Sequence, residues 1–93
     1  MSMMTSKYYV GAYYDEAFRG LAYAKGIDDW NEVEEFIWEY AQKGFNCLII
    51  EHQTGTKQYA FAEDFNENTV EPQEIIRDTK KNWRESLCTN GNH

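Results

Sequence analysis

Residues 28–45 read DDWNEVEEFIWEYAQKGF and predict the helix on which the rest of the fold depends. Asp29 followed by Glu32 is a variant of the capping box, which places one carboxylate at the N-cap and another in the first turn, where the helix dipole is positive. Gly44 can take the left-handed conformation that ends a helix, and Phe45 can then fold back on the last turn in a Schellman motif. Between these ends the apolar residues recur at the 3.6-residue period: Trp30, Val33, Phe36, Ile37, Tyr40 and Ala41.

Two short aromatic segments before this helix predict a β-hairpin. Residues 8–14 read YYVGAYY, a run of aromatic and β-branched side chains that suits a strand. Residues 15–17 can form a turn, and residues 18–24, which read FRGLAYA, can return as the antiparallel partner. We therefore expect two paired strands ahead of the helix.

The segments after the helix predict a second hairpin and a second helix. Residues 46–52 (NCLIIEH) and 57–63 (KQYAFAE) flank QTGT, in which Gly55 supplies the positive φ of a hairpin turn. Pro72 suits the first position of a helix, and the apolar spacing continues that helix over residues 72–87. The element order β-β-α-β-β-α predicts an α+β fold, a four-stranded, mostly antiparallel sheet with two helices on one face.

The length of the chain limits its domain organisation. A chain of 93 residues has room for one core, and folding would bury roughly 60–65% of the surface of the unfolded chain. Aromatic residues make up 16% of the chain, so a few large side chains can fill that core. We expect a leader or tag remnant at residues 1–7, a single α+β domain at residues 8–88 and a flexible tail at residues 89–93.

The charge of the chain disfavours two classes of partner. Its formal net charge of −7 at pH 7 repels nucleic-acid backbones and anionic membrane surfaces, and it attracts basic protein patches. No apolar run approaches the roughly 18 residues of a membrane span, and the N-terminus lacks the apolar region of a signal peptide. The two cysteines, Cys47 and Cys88, favour free thiols in a reducing compartment. We therefore expect a cytoplasmic protein.

The sequence contains no complete catalytic or metal-binding motif. His52 and Cys47 have opposite strand parity, so their side chains leave opposite faces of the sheet and form no thiolate–imidazole pair. Residues 64–69 (DFNENT) resemble the start of an EF-hand loop, but Thr69 replaces the glycine of the turn and Ile75 replaces the bidentate glutamate. A solvated Asx-turn loop is the alternative for that segment. We expect neither enzyme activity nor a bound metal or cofactor.

Three glutamates of the predicted helix form a row at i, i+3 and i+7: Glu32, Glu35 and Glu39. With the apolar stripe turned to the core, we expect this row on the opposite side of the helix, without basic residues to compensate it. Trp38 lies about 120° from the centre of the stripe, beside the row, so it should lie at the boundary of the core or be exposed. The alternatives are an ordinary solvated face for the row and a position under a loop or strand edge for Trp38.

These observations favour a small acidic binding protein. We expect Glu32, Glu35, Trp38 and Glu39 to bind a basic surface of a partner protein, because carboxylates on a rigid helix attract cations and exposed tryptophan is enriched in binding sites. Such a row can also imitate the charge of a nucleic-acid backbone. Residues 9–22, YVGAYYDEAFRGLA, resemble the opening of the ArdA antirestriction family, whose members are acidic DNA mimics from mobile elements. The resemblance, which covers those residues alone, implies an inhibitor of phage or mobile-element origin.

Two alternatives belong to other functional classes. The first is nucleic-acid binding through the basic face of the predicted C-terminal helix, which carries Arg77, Lys80, Lys81 and Arg84. The net charge of the chain and the lack of an RNP-like pattern disfavour it. The second is a self-associating structural or regulatory subunit, a homodimer that uses Trp38 or an open sheet edge as its contact.

Overall fold

A computed structural model of the chain describes residues 6–78, which form one antiparallel sheet and one α-helix. The sheet has the strand order β2-β1-β3-β4-β5, and every neighbouring pair is antiparallel. The α+β class is therefore confirmed, with five strands and one helix in the described residues rather than the expected four and two. The elements are β1 (Tyr8–Tyr13), β2 (Leu21–Ile27), α1 (Trp30–Gln42), β3 (Asn46–Glu51), β4 (Lys57–Ala60) and β5 (Ile76–Arg77), with 3₁₀ turns at Ala62–Asp64 and Pro72–Glu74.

Helix α1 begins and ends where its sequence predicts. The Asp29 carboxylate accepts a hydrogen bond from the Asn31 amide at 3.2 Å, which satisfies one of the free amides of the first turn. At the other end Gly44 has φ +98°, and its amide donates to the Ala41 carbonyl at 3.0 Å. The Phe45 amide donates to the Tyr40 carbonyl at 2.9 Å, which completes the Schellman motif. The local sequence alone therefore fixes both helix ends.

The core lies between α1 and one face of the sheet. Strand β1 contributes Val10 and Ala12 to this face, and Gly11 between them is also buried, under the side chains of Tyr13 and Leu21 on the other face. Their partners on β3 are Ile49 and Cys47, so the two central strands present small and branched side chains to the helix. The buried residues of α1 that pack on this face are Val33, Phe36, Ile37 and Ala41.

The first hairpin differs from its prediction because its second strand begins at Leu21 rather than at residue 18. Asp15 organises the connection, since its carboxylate accepts from the Ala17 amide at 2.8 Å and its carbonyl accepts from the Phe18 amide at 2.9 Å. Phe18 then adopts φ +60°, and its ring contacts those of Tyr59 and Phe61. The segment predicted to begin the strand is therefore a turn. This turn places the ring of Phe18 against the rings of Tyr59 and Phe61.

The predicted helix over residues 72–87 is wrong where the structure describes it. Pro72 does begin a helical turn, but this is a single 3₁₀ turn that ends at Glu74. Ile75 is then buried in the core, and Ile76–Arg77 pairs with Tyr59–Ala60 as β5. The exposed edge of β4 offers unpaired backbone groups to the returning chain, which favours a strand over continued helix. The rest of that prediction, with Cys88 and the tail at residues 89–93, lies outside the described residues.

Candidate functional site

A groove of about 430 Å³ runs between α1 and the neighbouring part of β2. One of its walls is acidic, because it is formed by the row of glutamates that the sequence singled out. The other wall is the strand, and aromatic rings from both elements lie between the two walls. The groove is lined by Tyr23, Ala24, Lys25, Glu32, Glu35, Phe36, Glu39 and Tyr40.

Aromatic packing sets the position of the glutamate row. The ring of Tyr40 lies with its centroid 4.5 Å from that of Phe36 and 4.9 Å from that of Tyr23 on β2. These contacts rotate α1 so that the row faces the side of the molecule next to β2. We expected the row on the far side of the helix from the sheet, and this is corrected: the row lies on the flank of α1, above the edge of the sheet.

The row is partly compensated, contrary to expectation. The Lys43 ammonium lies 3.1 Å from the Glu39 carboxylate, one helical turn away, and both side chains are 54% exposed. The hydrogen bond from Lys43 to Glu39 raises the pKa of Lys43. The carboxylates of Glu32 and Glu35 are exposed and make no ion pair or hydrogen bond within residues 6–78. The uncompensated negative charge therefore lies in the first half of the row.

Trp38 lies on the other flank of α1, away from the groove. Its side chain is half-buried, and its ring lies edge-on to Phe65 with the centroids 5.0 Å apart. Phe65 belongs to the segment that follows β4, so Trp38 packs under a connecting segment, which was the alternative for this residue. The structure therefore brings Glu32, Glu35 and Glu39 together in the groove lining and leaves Trp38 outside it.

Arg77, the one residue of the alternative basic face that the structure describes, lies on a strand rather than on a helix. Arg77 lies on β5, where its guanidinium is 3.1 Å from the Asp64 carboxylate and lies over the ring of Phe61, 5.9 Å from its centroid. An arginine in such contacts contributes to packing as well as to charge. Its proposed neighbours Lys80, Lys81 and Arg84 lie outside the described residues.

The groups that were weighed for chemistry lie apart from the groove. Cys47 is buried under α1, and this burial raises the pKa of its thiol to about 12, so it remains protonated at neutral pH. His52 is exposed beyond the end of β3, with its ring centroid 5.8 Å from that of Tyr9. In the loop at residues 64–69, the Asn66 side chain accepts from the Asn68 amide at 2.7 Å, which is the expected Asx turn. Residues 6–78 contain no group of three or more histidine, cysteine or acidic side chains placed to hold a metal ion.

Sequence reasoning missed the contribution of β2 to the site. Tyr23 is 50% exposed, and Lys25 is the basic residue of the groove lining. A lysine on a strand is typical of a sheet edge, and Lys25 was the available signal.

Comparisons of the chain with protein-family models, with curated proteins and with solved structures found no match. Among the described residues, no helix has both the length and the apolar character that a membrane crossing requires.

Proposed function

We propose that this chain is a protein-binding module that uses the acidic wall of the α1–β2 groove to occupy a basic surface of a partner protein. The observation that carries the proposal is the pair of exposed carboxylates on Glu32 and Glu35, which no basic side chain among residues 6–78 neutralises. Aromatic rings beside them add apolar area to the same surface, and such rings are enriched where proteins bind one another. Glu39 contributes less to binding, because Lys43 already neutralises it.

The finer proposal is that this acidic wall imitates a nucleic-acid backbone and inhibits a nucleic-acid-binding protein. Its support is the net charge of −7 together with several carboxylates on one rigid helix. If it holds, duplex DNA or RNA competes with this chain for the partner, and the competition weakens as salt is added.

The test compares two double variants that remove the same amount of charge. Glu32→Gln with Glu35→Gln changes the groove, whereas Glu16→Gln with Glu67→Gln changes exposed acids elsewhere on the chain. The partner is recovered from the native host by affinity capture, identified by mass spectrometry, purified and titrated against each variant at three salt concentrations.

We expect the groove variant to bind about 2- to 25-fold more weakly, since each of the two exposed ion pairs is worth a factor of about 1.4–5. Its affinity should also depend less steeply on salt, while its melting temperature stays close to that of the native chain. Equal losses in the two double variants would reject the groove as the binding surface.

The alternatives from the sequence stay predictions. Nucleic-acid binding would appear as a gel shift at low salt that Lys→Ala and Arg→Ala changes at Arg77, Lys80, Lys81 and Arg84 abolish. Self-association would appear as a rise in molecular mass with concentration in light scattering.

A further inference from the structure

Strand β2 is an outermost strand of the sheet and is exposed along nearly all of its length. It spans seven residues, whereas β5 at the opposite edge spans two. An edge strand presents a row of backbone amides and carbonyls that lack partners, which is a template for another strand. Natural proteins usually keep such edges short or cover them, and within residues 6–78 no further strand pairs with the outer side of β2.

We propose that β2 binds an extended segment of the partner as an additional antiparallel or parallel strand, and that this segment carries lysine or arginine at alternate positions. The proposal rests on the proposed function, since it names the kind of surface that the acidic wall meets. Backbone hydrogen bonds to β2 provide affinity in this mode of recognition, and the side chains that enter the groove provide specificity.

The dimensions of the groove fit this occupant. An added strand lies about 4.8 Å outside β2, and every second side chain of it points to the face that carries α1. Those side chains recur about every 6.7 Å along the strand. The row from Glu32 to Glu39 extends about 10.5 Å along the helix at 1.5 Å per residue. Two or three alternate basic side chains therefore span the row, and their stems can pack on the exposed ring of Tyr23.

Charge favours a basic segment of another protein, rather than a second copy of this chain, as the strand that pairs with β2. Two β2 edges paired about a two-fold axis would place both α1 helices on the same face of the joined sheet. The two glutamate rows would then face each other across the junction, and each copy carries a net charge of −7. Like charges in such an arrangement repel, whereas a basic segment is attracted to both the row and the whole molecule.

Lys25 affects which segments can bind in the groove. It lies on β2 among the groove residues, and it forms no ion pair within residues 6–78. A lysine on an exposed edge discourages pairing with unsuitable strands, and here it also repels a basic segment. Replacing it should therefore strengthen the binding of the proposed occupant and weaken the binding of any anionic one.

The experiment uses the full chain and short synthetic peptides. The first peptide alternates arginine with threonine and valine. The second has the same composition with its arginines in one block. Two further peptides have the sequence of the first and are N-methylated at every second backbone amide, one at the odd positions and the other at the even positions. Only one of these two loses the amides that face β2. Affinity is measured by fluorescence anisotropy, and hydrogen exchange of the backbone amides is followed by NMR.

We expect the alternating peptide to bind, to slow amide exchange within Leu21–Ile27, and to lose affinity about tenfold in one N-methylated form. The blocked peptide should bind more weakly. Lys25→Gln should tighten binding about 2- to 5-fold, whereas Lys57→Gln, at an exposed lysine of β4, should leave it unchanged.

Three outcomes would overturn strand addition: no binding by the alternating peptide, equal binding by all four peptides, or exchange protection outside β2. Light scattering that shows a dimer with protected β2 amides would also overturn it, in favour of a second copy. If the Glu32 and Glu35 changes still weaken capture of the native partner in any of these cases, the proposed function survives and only the mode of binding is rejected.

Discussion

Phe18 has a backbone conformation that is unfavourable for a phenylalanine. We predict that at this position the glycine variant is more stable than the alanine variant, which reverses their usual order of stability. Phe18 is the one non-glycine residue with positive φ among residues 6–78, at φ +60°. This conformation costs an L-residue roughly 1–2 kcal/mol, because Cβ approaches the following carbonyl. The ring offsets that cost through contacts with Tyr13, Tyr59 and Phe61 at centroid distances of 5.6, 5.5 and 5.6 Å.

The expected magnitudes follow from these two terms. Phe18 is half-buried, so losing its ring forfeits about half of the 1.5–3 kcal/mol that full burial contributes. Three aromatic contacts add about 0.5 kcal/mol each at the low end of their range. Phe18→Ala should therefore lower the free energy of unfolding by about 2–3 kcal/mol. Phe18→Gly loses the same contacts but also releases the strain, so it should be more stable than Phe18→Ala by about 0.5–1 kcal/mol.

Urea denaturation followed by far-UV circular dichroism measures this difference, with the midpoint as the quantity compared. The neighbouring residue supplies the control: Ala17 lies in the same turn without a positive φ, so Ala17→Gly should destabilise the chain by about 0.4–1 kcal/mol. If Phe18→Gly proves less stable than Phe18→Ala, as at an ordinary position, the strained turn is not the conformation in solution.

Two further predictions concern Cys47 and Gly44. Because burial raises the pKa of Cys47 to about 12 from an ordinary value of 9.0, the thiol ionises first in the unfolded chain, and the free energy of unfolding falls as pH rises from about 9 towards 12. Below pH 9 the difference in urea midpoint between the native chain and Cys47→Ala should be constant. Above pH 9 the midpoint of the native chain should fall relative to that of the variant. A constant difference at all pH values would contradict the burial of Cys47. Gly44 has φ +98°, and a Cβ there would meet no atom within 4 Å beyond the adjacent residues, so Gly44→Ala should cost about 1–2 kcal/mol from backbone strain alone. Gly44→Asn should cost less in the same urea denaturation assay, and equal losses would point to a steric cause instead.

Local signals predicted α1 and the β3–β4 hairpin, and non-local contacts decided the elements that were missed. Asp29, Gly44 and Gly55 each act within a few residues of their own position, so the sequence shows their effect directly. Strand β5 forms because Ile76 and Arg77 pair with the edge of β4. The sequence of residues 72–77 alone does not indicate that this edge is available. The turn at Phe18 likewise depends on Tyr59 and Phe61, which follow it by some forty residues in the chain.

The sequence predicted which glutamates form the candidate site, but not which side of the molecule they face. The spacing of Glu32, Glu35 and Glu39 put them together on one side of α1, as observed. Which side of the molecule they face depends on how α1 is rotated on the sheet. The contact between Tyr40 and Tyr23 of β2 sets that rotation, and a helical period cannot reveal it. The position of Trp38 was open for the same reason, since its partner Phe65 comes from a distant loop.

The stability of α1 neither requires nor excludes the glutamate row. Neighbouring like charges cost a helix roughly 0.2–0.5 kcal/mol per pair, which is unfavourable for the row. Glu32 lies in the first turn, however, where the helix dipole stabilises a carboxylate by about 0.3–1 kcal/mol, and Glu39 is paired with Lys43. These terms are of similar size and opposite sign, so the helix tolerates the row without any partner. The position of the row is therefore what favours a binding surface, because Glu32 and Glu35 line a groove beside the exposed edge of β2. Charge changes at those two residues should consequently alter binding to a basic segment far more than they alter the free energy of unfolding.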